Sequence, residues 1–426
     1  MRAPPRSVSP VGIALAGGGF LGAAYELGAL AALSESIDGL ELTDLDVYVG
    51  VSAGAFVAAG LANGLSPHAM VRMFVESEAD AGPFAPASLL RPAWSEFADR
   101  LERAPEVLRE LLDEARRGLL HGGVGSALWR GLDRAAALLP AGVIDATPAE
   151  LKLAALLGAP GRSNRFDGLR APLRIVATDI DSGETVAFGG PGGIDVPISR
   201  AVLASSAVPG LFPPVKIGGR WFVDGALNKT LHASIALQEG ARLVLCLNPL
   251  VPYSAGDAGP PAAIARRGLG AVLAQTVRTA IRSRMTVGLE KYRVTHPDAD
   301  VLLFEPRPDD ATTFFTRIFS TSSRRALCEH AYRRTRADLL ERASSLAPVL
   351  ARHGLRLNLA RLADPAHALV REPTRPPPRA GRLAVATLFG RHRPAVLAPG
   401  RLAVATRRLG HALDDLERVL RLSAQH

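Results

Sequence analysis

Cysteine is nearly absent, with Cys246 and Cys328 the only two in 426 residues. A disulfide framework is therefore excluded, and neither thiol has metal-ligand spacing or a nearby histidine. Cys246 falls inside the apolar run Leu243 to Leu247, which predicts a buried, inert thiol. Lysine is scarce as well: Lys152, Lys216, Lys229 and Lys291 are the four among 50 basic residues. With the alanine-rich helices, this arginine bias points to GC-rich coding rather than to one ligand. Long hydrophobic runs are missing too. After Met1 to Pro10, read as a disordered N-terminus, the apolar stretch Val11 to Ala16 is too short for a signal-peptide core. No segment approaches the ~20 apolar residues of a membrane span. A cytoplasmic protein follows, with peripheral attachment as its closest approach to a membrane.

What is present suits a large globular chain: 48 % hydrophobic and 21 % charged residues can bury a sizeable core. The net charge of +9 favours anionic partners, a membrane surface or nucleic acid.

The chain is organised around Asp46 to Phe56. β-Prone residues run into Gly50-Val51-Ser52-Ala53-Gly54, and small and apolar residues leave it as a helix. In a G-x-S-x-G turn of this kind the serine is forced into a strained conformation, and only small neighbours let strand and helix come close. Alone, such a match also describes a plain turn. Upstream, Val11 to Ala16 reads as a buried parallel strand entering Gly17-Gly18-Gly19-Phe20-Leu21-Gly22, followed by a helix. The loop matches G-x-G-x-x-G, but a dinucleotide site wants an acid at the end of the second strand. That strand ends in Ser52 instead. The better reading is an oxyanion hole, in which the glycine amides and a helix dipole face a developing negative charge beside the serine.

From about 67 to 166 the chain is mostly helical, an insertion that could cap the site. Trp94, Trp129 and Phe84 there face lipid or, more in keeping with single aromatics, anchor the cap. Strands follow at Leu173 to Thr178, Val215 to Ile217 and Arg220 to Val223, the last running into Asp224-Gly225-Ala226. An Asp-Gly pair is ordinarily a turn. Here it ends a strand at the edge where Ser52 emerges. A further strand, Leu243 to Leu247, is followed by a long basic helical region with apolar positions Leu269, Val272, Leu273, Val277, Ile281 and Met285. Val301 to Phe304 is the last strand and Ser322 to Leu346 a closing helix. The expected layout is a catalytic domain over 11–250, its helical continuation over 251–360, and a basic, partly disordered tail over 361–426. The tail repeats Gly-Arg-Leu-Ala-Val-Ala-Thr at 381–387 and 400–406.

A serine nucleophile needs a base, commonly a histidine oriented by an acid. No histidine after Ser52 sits at an obvious strand end; His232, His296 and His353 read as surface or capping residues. Asp224 thus becomes the candidate base, its pKa raised by an apolar wall.

Together the three stretches resemble the patatin-like phospholipase family: a glycine-rich oxyanion loop, a G-x-S-x-G elbow and an Asp-Gly-Ala/Gly triplet, in that order. The runs Ala177 to Glu184 and Ala204 to Val215 look like that family's approach to the triplet. The resemblance spans about residues 10 to 345. It implies an α/β protein with a three-layer α/β/α arrangement, a mainly parallel central sheet and a helical insertion after the nucleophile helix. It also implies a Ser52–Asp224 dyad and hydrolysis of lipid acyl esters. One departure stands out: Leu21 replaces the Lys or Arg usual at that position.

The expected reaction is that of a lipid acyl hydrolase of phospholipase A, lysophospholipase or esterase type. Ser52 attacks, Asp224 takes the proton, and the amides of Gly17, Gly18, Gly19 and Ala53 form the oxyanion hole. Gly22, Gly50, Gly54, Gly225 and Ala226 support the motifs. No cofactor or metal is expected, since no Asp, His or Cys cluster offers ligands. The expected partner is a lipid or phospholipid, with peripheral membrane contact through the basic helix and tail and no specific nucleic acid. Alternatives are a serine thioesterase or polyester hydrolase, or a catalytically silent lipid-binding scaffold.

Overall fold

A computed structural model describes residues 9–76, 91–93, 140–254, 264–315, 321–364 and 368–370, with positions 106, 109 and 110. The expectations for residues 1–8, for Phe84, Trp94 and Trp129, for most of the inserted cap and for the repeats of the tail lie outside them.

Eight strands form one sheet. They are β1 (Val11–Leu15), β2 (Val47–Val51), β3 (Leu173–Asp179), β4 (Thr185–Phe188), β5 (Val215–Ile217), β6 (Arg220–Asp224), β7 (Leu243–Leu247) and β8 (Asp300–Phe304). The order is β8-β7-β1-β2-β3-β6-β5, with β4 also paired to β3. From β8 to β3 every neighbour is parallel, whereas β4, β5 and β6 pair antiparallel. The parallel strands β1, β2 and β7 are buried at every position, as strands covered on both faces must be. This is a mixed, mostly parallel sheet with flanking helices, the expected α/β/α class.

Helix α1 (Gly19–Ser36) follows β1 and α2 (Ala53–Ala62) follows β2. Apolar and small residues surround α1, so it is buried almost all round. A later helix, α7 (Thr321–Glu341), packs so closely on α1 that a Cβ on Gly28 would stand 2.1 Å from the Cys328 carbonyl oxygen. Between these come α3 (Thr147–Leu157), α4 (Ile198–Ser205), α5 (Ala233–Gln238) and α6 (Leu269–Thr295). α8 (Ala343–Arg352) succeeds α7.

Several local expectations change. The single closing helix is two, broken after Glu341. At the start of the expected tail, the described residues 361–364 and 368–370 are packed. The Arg336 guanidinium donates to the carbonyls of Arg361 at 2.6 Å and Asp364 at 2.8 Å, and Leu362 and Val370 are buried. Two-residue strands occur at Arg91–Pro92 and Ile144–Asp145 within the inserted region, too short to leave a periodic signal. Cys246 and Cys328 are both buried free thiols, and burial pushes Cys246 up to about 12.

The chain divides into two compact units. One comprises 1–91, 146–208 and 214–371 and holds the whole sheet. The other comprises 92–145, 209–213 and 372–426; within it Val143 and Ile144 donate to the Leu211 carbonyl at 3.1 and 2.9 Å. Among the described residues no helix is long and apolar enough to cross a membrane.

Candidate active site

β2 ends at Val51, and the next residue breaks the rules of L-amino-acid backbone. Ser52 has φ 53° and ψ −120°, the only non-glycine residue with positive φ among those described. Such a conformation costs roughly 1–3 kcal/mol and persists only where its surroundings over-determine it. They do so here. The Ser52 N–H donates to the Ser205 hydroxyl at 2.7 Å, and that hydroxyl donates to the Val176 carbonyl at 2.5 Å. Two residues on, the Gly54 N–H donates to the Ala16 carbonyl at 3.2 Å, tying the head of α2 to the end of β1. A Cβ at Gly54 would lie 2.5 Å from the Leu15 backbone, so only glycine permits that approach. Gly50 packs against the first turn of α2 in the same way.

The partner residue arrives from the opposite direction. The middle residues of β3, Ile175 to Thr178, each have two lateral neighbours. Val176 lies between Val51 of β2 and Ala187 of β4, and Ala177 lies between Asp224 of β6 and Val186 of β4. β2 and β6 therefore occupy the same edge of β3. β2 runs along it until Ser52 turns away, and β6 runs antiparallel toward it and stops at Asp224. The two strands meet head-on, one residue apart in register. Gly225 lets the chain leave this crowded point: a Cβ there would sit 2.3 Å from the Val176 carbonyl oxygen.

Both meeting residues are buried. The Ser52 side chain lies against the Asp224 carboxylate and lowers its pKa. The Ala226 N–H donates to the same carboxylate at 2.8 Å. Burial pushes the Asp224 carboxyl up to about 6, against the opposing pull of the Ser52 side chain and the Ala226 N–H.

The glycine loop lies alongside. A Cβ on Gly17 would be 3.2 Å from the Cβ atoms of both Ser52 and Ala226, so the loop is in contact with both halves of the pair. Gly18 caps α1 and accepts the Gly22 N–H at 2.9 Å, the first amide of that helix with an intrahelical partner. Gly19 has φ +61°, which turns the chain into the helix. The Pro249 ring packs on Gly18 and Gly22 from the end of β7. The amides at the head of α1 are orphan donors, as in any helix. At the head of α2, Gly54, Ala55 and Phe56 spend their N–H groups on carbonyls, while the Ala53 N–H has no partner among the described residues. Two positive helix ends thus converge beside the Ser52 hydroxyl.

Among the described residues no histidine bonds Asp224, whose carboxylate accepts the Ala226 N–H and faces the Ser52 side chain. His232 and His353 are nonetheless buried rather than on the surface. His353 bonds Asp300 at 2.8 Å, and burial holds His232 down at about 4. Ser205, which fixes the strained serine, was not singled out from sequence; its only signal is the run Ala204 to Val215. No group of three or more His, Cys, Asp or Glu able to hold a metal occurs among the described residues.

A strained serine on a strand–helix turn, beside a buried aspartate and a glycine loop, has the form of a nucleophile elbow. The model of the family described as patatin-like phospholipase matches residues 13–237. The chain belongs to the patatin-like phospholipase family, whose members act on lipid acyl esters. It is also similar to the crystal structure of VipD from Legionella pneumophila, at 16 % identity and a TM-score of 0.29, covering 77 % of this chain and 67 % of that one.

Proposed function

We propose that this chain is a lipid acyl hydrolase of the carboxylic-ester type, working through a Ser52–Asp224 dyad without histidine. Ser52 attacks the ester carbonyl while Asp224 accepts its proton. The N–H groups of Gly18, Gly19 and Ala53, with Gly17 holding the loop against the serine, receive the charge on the carbonyl oxygen. Asp224 then protonates the leaving alcohol. In the second half it draws a proton from water, which releases the fatty acid and frees the serine. The reading needs no cofactor.

The observation that carries it is the meeting of a strained serine with a buried carboxyl raised to about 6. An ordinary carboxylate is too weak a base for a hydroxyl, and one nearer neutrality is better matched. The backbone at Ser52 is held in place by Ser205, so the hydroxyl is oriented before any substrate binds. Leu21 leaves the loop without the basic side chain usual in the family, so the oxyanion hole relies on backbone amides and helix ends.

The test is labelling by a fluorophosphonate probe alongside hydrolysis of an activated acyl ester. Labelling and turnover in the wild-type chain, both lost in Ser52→Ala, are expected. Turnover that survives in Ser52→Ala or in Asp224→Ala refutes the dyad.

A further inference from the structure

Helix α6 is built inside out over its first half. The half-buried residues there include the long polar side chains of Gln275, Arg278 and Arg282, beside Ala271, Ala274 and Ile281. Gln275 clamps the Tyr253 backbone, accepting its N–H at 3.0 Å and donating to its carbonyl at 2.8 Å. The Arg278 guanidinium lies 4.6 Å from the centre of the Phe314 ring, and Arg282 pairs with Glu305. Other apolar residues, at spacings of three and four, point to solvent: Leu269 is 74 % exposed, Leu273 54 % and Val277 54 %, with Val272 beside them. Only further along do Met285 and Tyr292 turn inward and bury. A helix of a globular protein ordinarily does the reverse.

The position of this stripe is set by topology. α6 connects β7 to β8, which run parallel, so its beginning lies by the carboxyl ends of the strands and its end by their amino ends. The carboxyl ends are where Ser52 emerges. Arg284 marks the proximity, since its guanidinium donates to the carbonyls of Leu227 and Asn228 at 3.4 Å each. Leu227 directly follows Asp224-Gly225-Ala226 and is itself 51 % exposed. The charge has one sign. Between Ile264 and Leu289 there are Arg266, Arg267, Arg278, Arg282 and Arg284 and no acid. Of these, Arg266, Arg267 and Arg284 are exposed.

We propose that Leu269, Val272, Leu273, Val277 and Leu227 form a docking face for an anionic bilayer, with Arg266 and Arg284 at its border. Exposed aliphatic side chains at helical spacing, on a helical stretch whose charges are all cations, fit the boundary between headgroups and acyl chains. The inference rests on the acyl-hydrolase reading only in making the bilayer the source of substrate: docking there would present ester groups to the edge that carries Ser52.

The full chain is tested by co-sedimentation with vesicles of phosphatidylcholine alone and with phosphatidylglycerol added. Partition onto the anionic vesicles is expected, and Leu273→Asp combined with Val277→Asp should weaken it by about tenfold or more. The same double variant should keep turnover of a soluble short-chain ester within about twofold, because the substituted positions lie outside the dyad and its loop. A second probe does not depend on that variant's folding: Leu273→Trp should be quenched by brominated lipid. Undiminished partition of the double variant, or an unquenched Trp at position 273, overturns the proposal. So does a dimer in solution that the double variant splits, which would assign the face to a second copy of the chain. Vesicle partition measured on Ser52→Ala separates failure of docking from failure of the hydrolase reading, since docking needs no turnover.

Discussion

The two turns that meet at the candidate active site hold their residues by different means. The serine turn is strained in its backbone: φ 53° at a non-glycine residue, fixed by Ser205 and by the close approach of Gly54 to β1. The aspartate turn is relaxed in its backbone, with φ −50° and ψ 129°, and its strain is electrostatic, a carboxyl taken out of water. In the proposed mechanism one turn orients the nucleophile and the other tunes the base. The comparison teaches that backbone strain and charge burial can be kept in separate segments. Each is therefore open to its own perturbation.

The largest effect should come from removing either reacting group. Ser52→Ala and Asp224→Asn should each lower kcat/KM on an activated ester by about 1,000-fold or more, read by initial rates. A silent Ser52 with an active Asp224→Asn would break the symmetry between the turns. Next is the packing that holds the serine turn. Gly54→Ala forces a Cβ into the Leu15 backbone and should destabilise the fold by about 3 kcal/mol, measured by denaturant unfolding.

The aspartate turn is probed by pH. Its folded pKa, about 6, exceeds the ordinary 3.8, so the folded state binds more protons across that window and stability falls as pH rises through it. Asp224→Asn should abolish that loss and gain up to about 3 kcal/mol above pH 6, seen as a higher Tm at pH 8 than at pH 4 relative to wild type. Turnover runs the other way. The base must be ionised, so kcat/KM should fall about tenfold per pH unit below about 6. The smallest effect tests the backbone. Ser52→Gly should be more stable than Ser52→Ala by about 1 kcal/mol, because glycine accepts positive φ. Equal stability of the two would mean that the serine turn carries no strain.

The three motifs were legible because glycine spacing reports close backbone approach directly. Gly50, Gly54 and Gly225 stand where a Cβ would collide with backbone atoms. The strands β1, β2 and β7 were legible as short apolar runs. The head-on meeting of β2 and β6 was not. It depends on β3 outlasting β2 by the three residues Ala177, Thr178 and Asp179, to which β6 pairs, and register of this kind leaves no mark on either strand's composition. Ser205 was missed for a similar reason, as a serine at the end of a helix carries no sign of the remote amide it accepts. The apolar spacing of α6 was read correctly, but periodicity does not say which side of a stripe meets the core. His232 and His353 read as surface or capping residues, and both do stand at helix ends, as the N-cap of α5 and the C-cap of α8. Their burial was not legible because it is decided by partners remote in the chain, Asp300 in the second case.

The contact between Gly28 and Cys328 bears on how this protein can be dissected. The matched segment, 13–237, stops before β7 and β8 and before α7. A fragment cut at that boundary would leave β1 with a bare edge and α1 with an uncovered apolar side, at the very helix whose head carries the glycine loop. The smallest autonomous piece must extend at least to the segment that Arg336 ties down, near position 364. Shorter expression products should be insoluble, whatever their motifs.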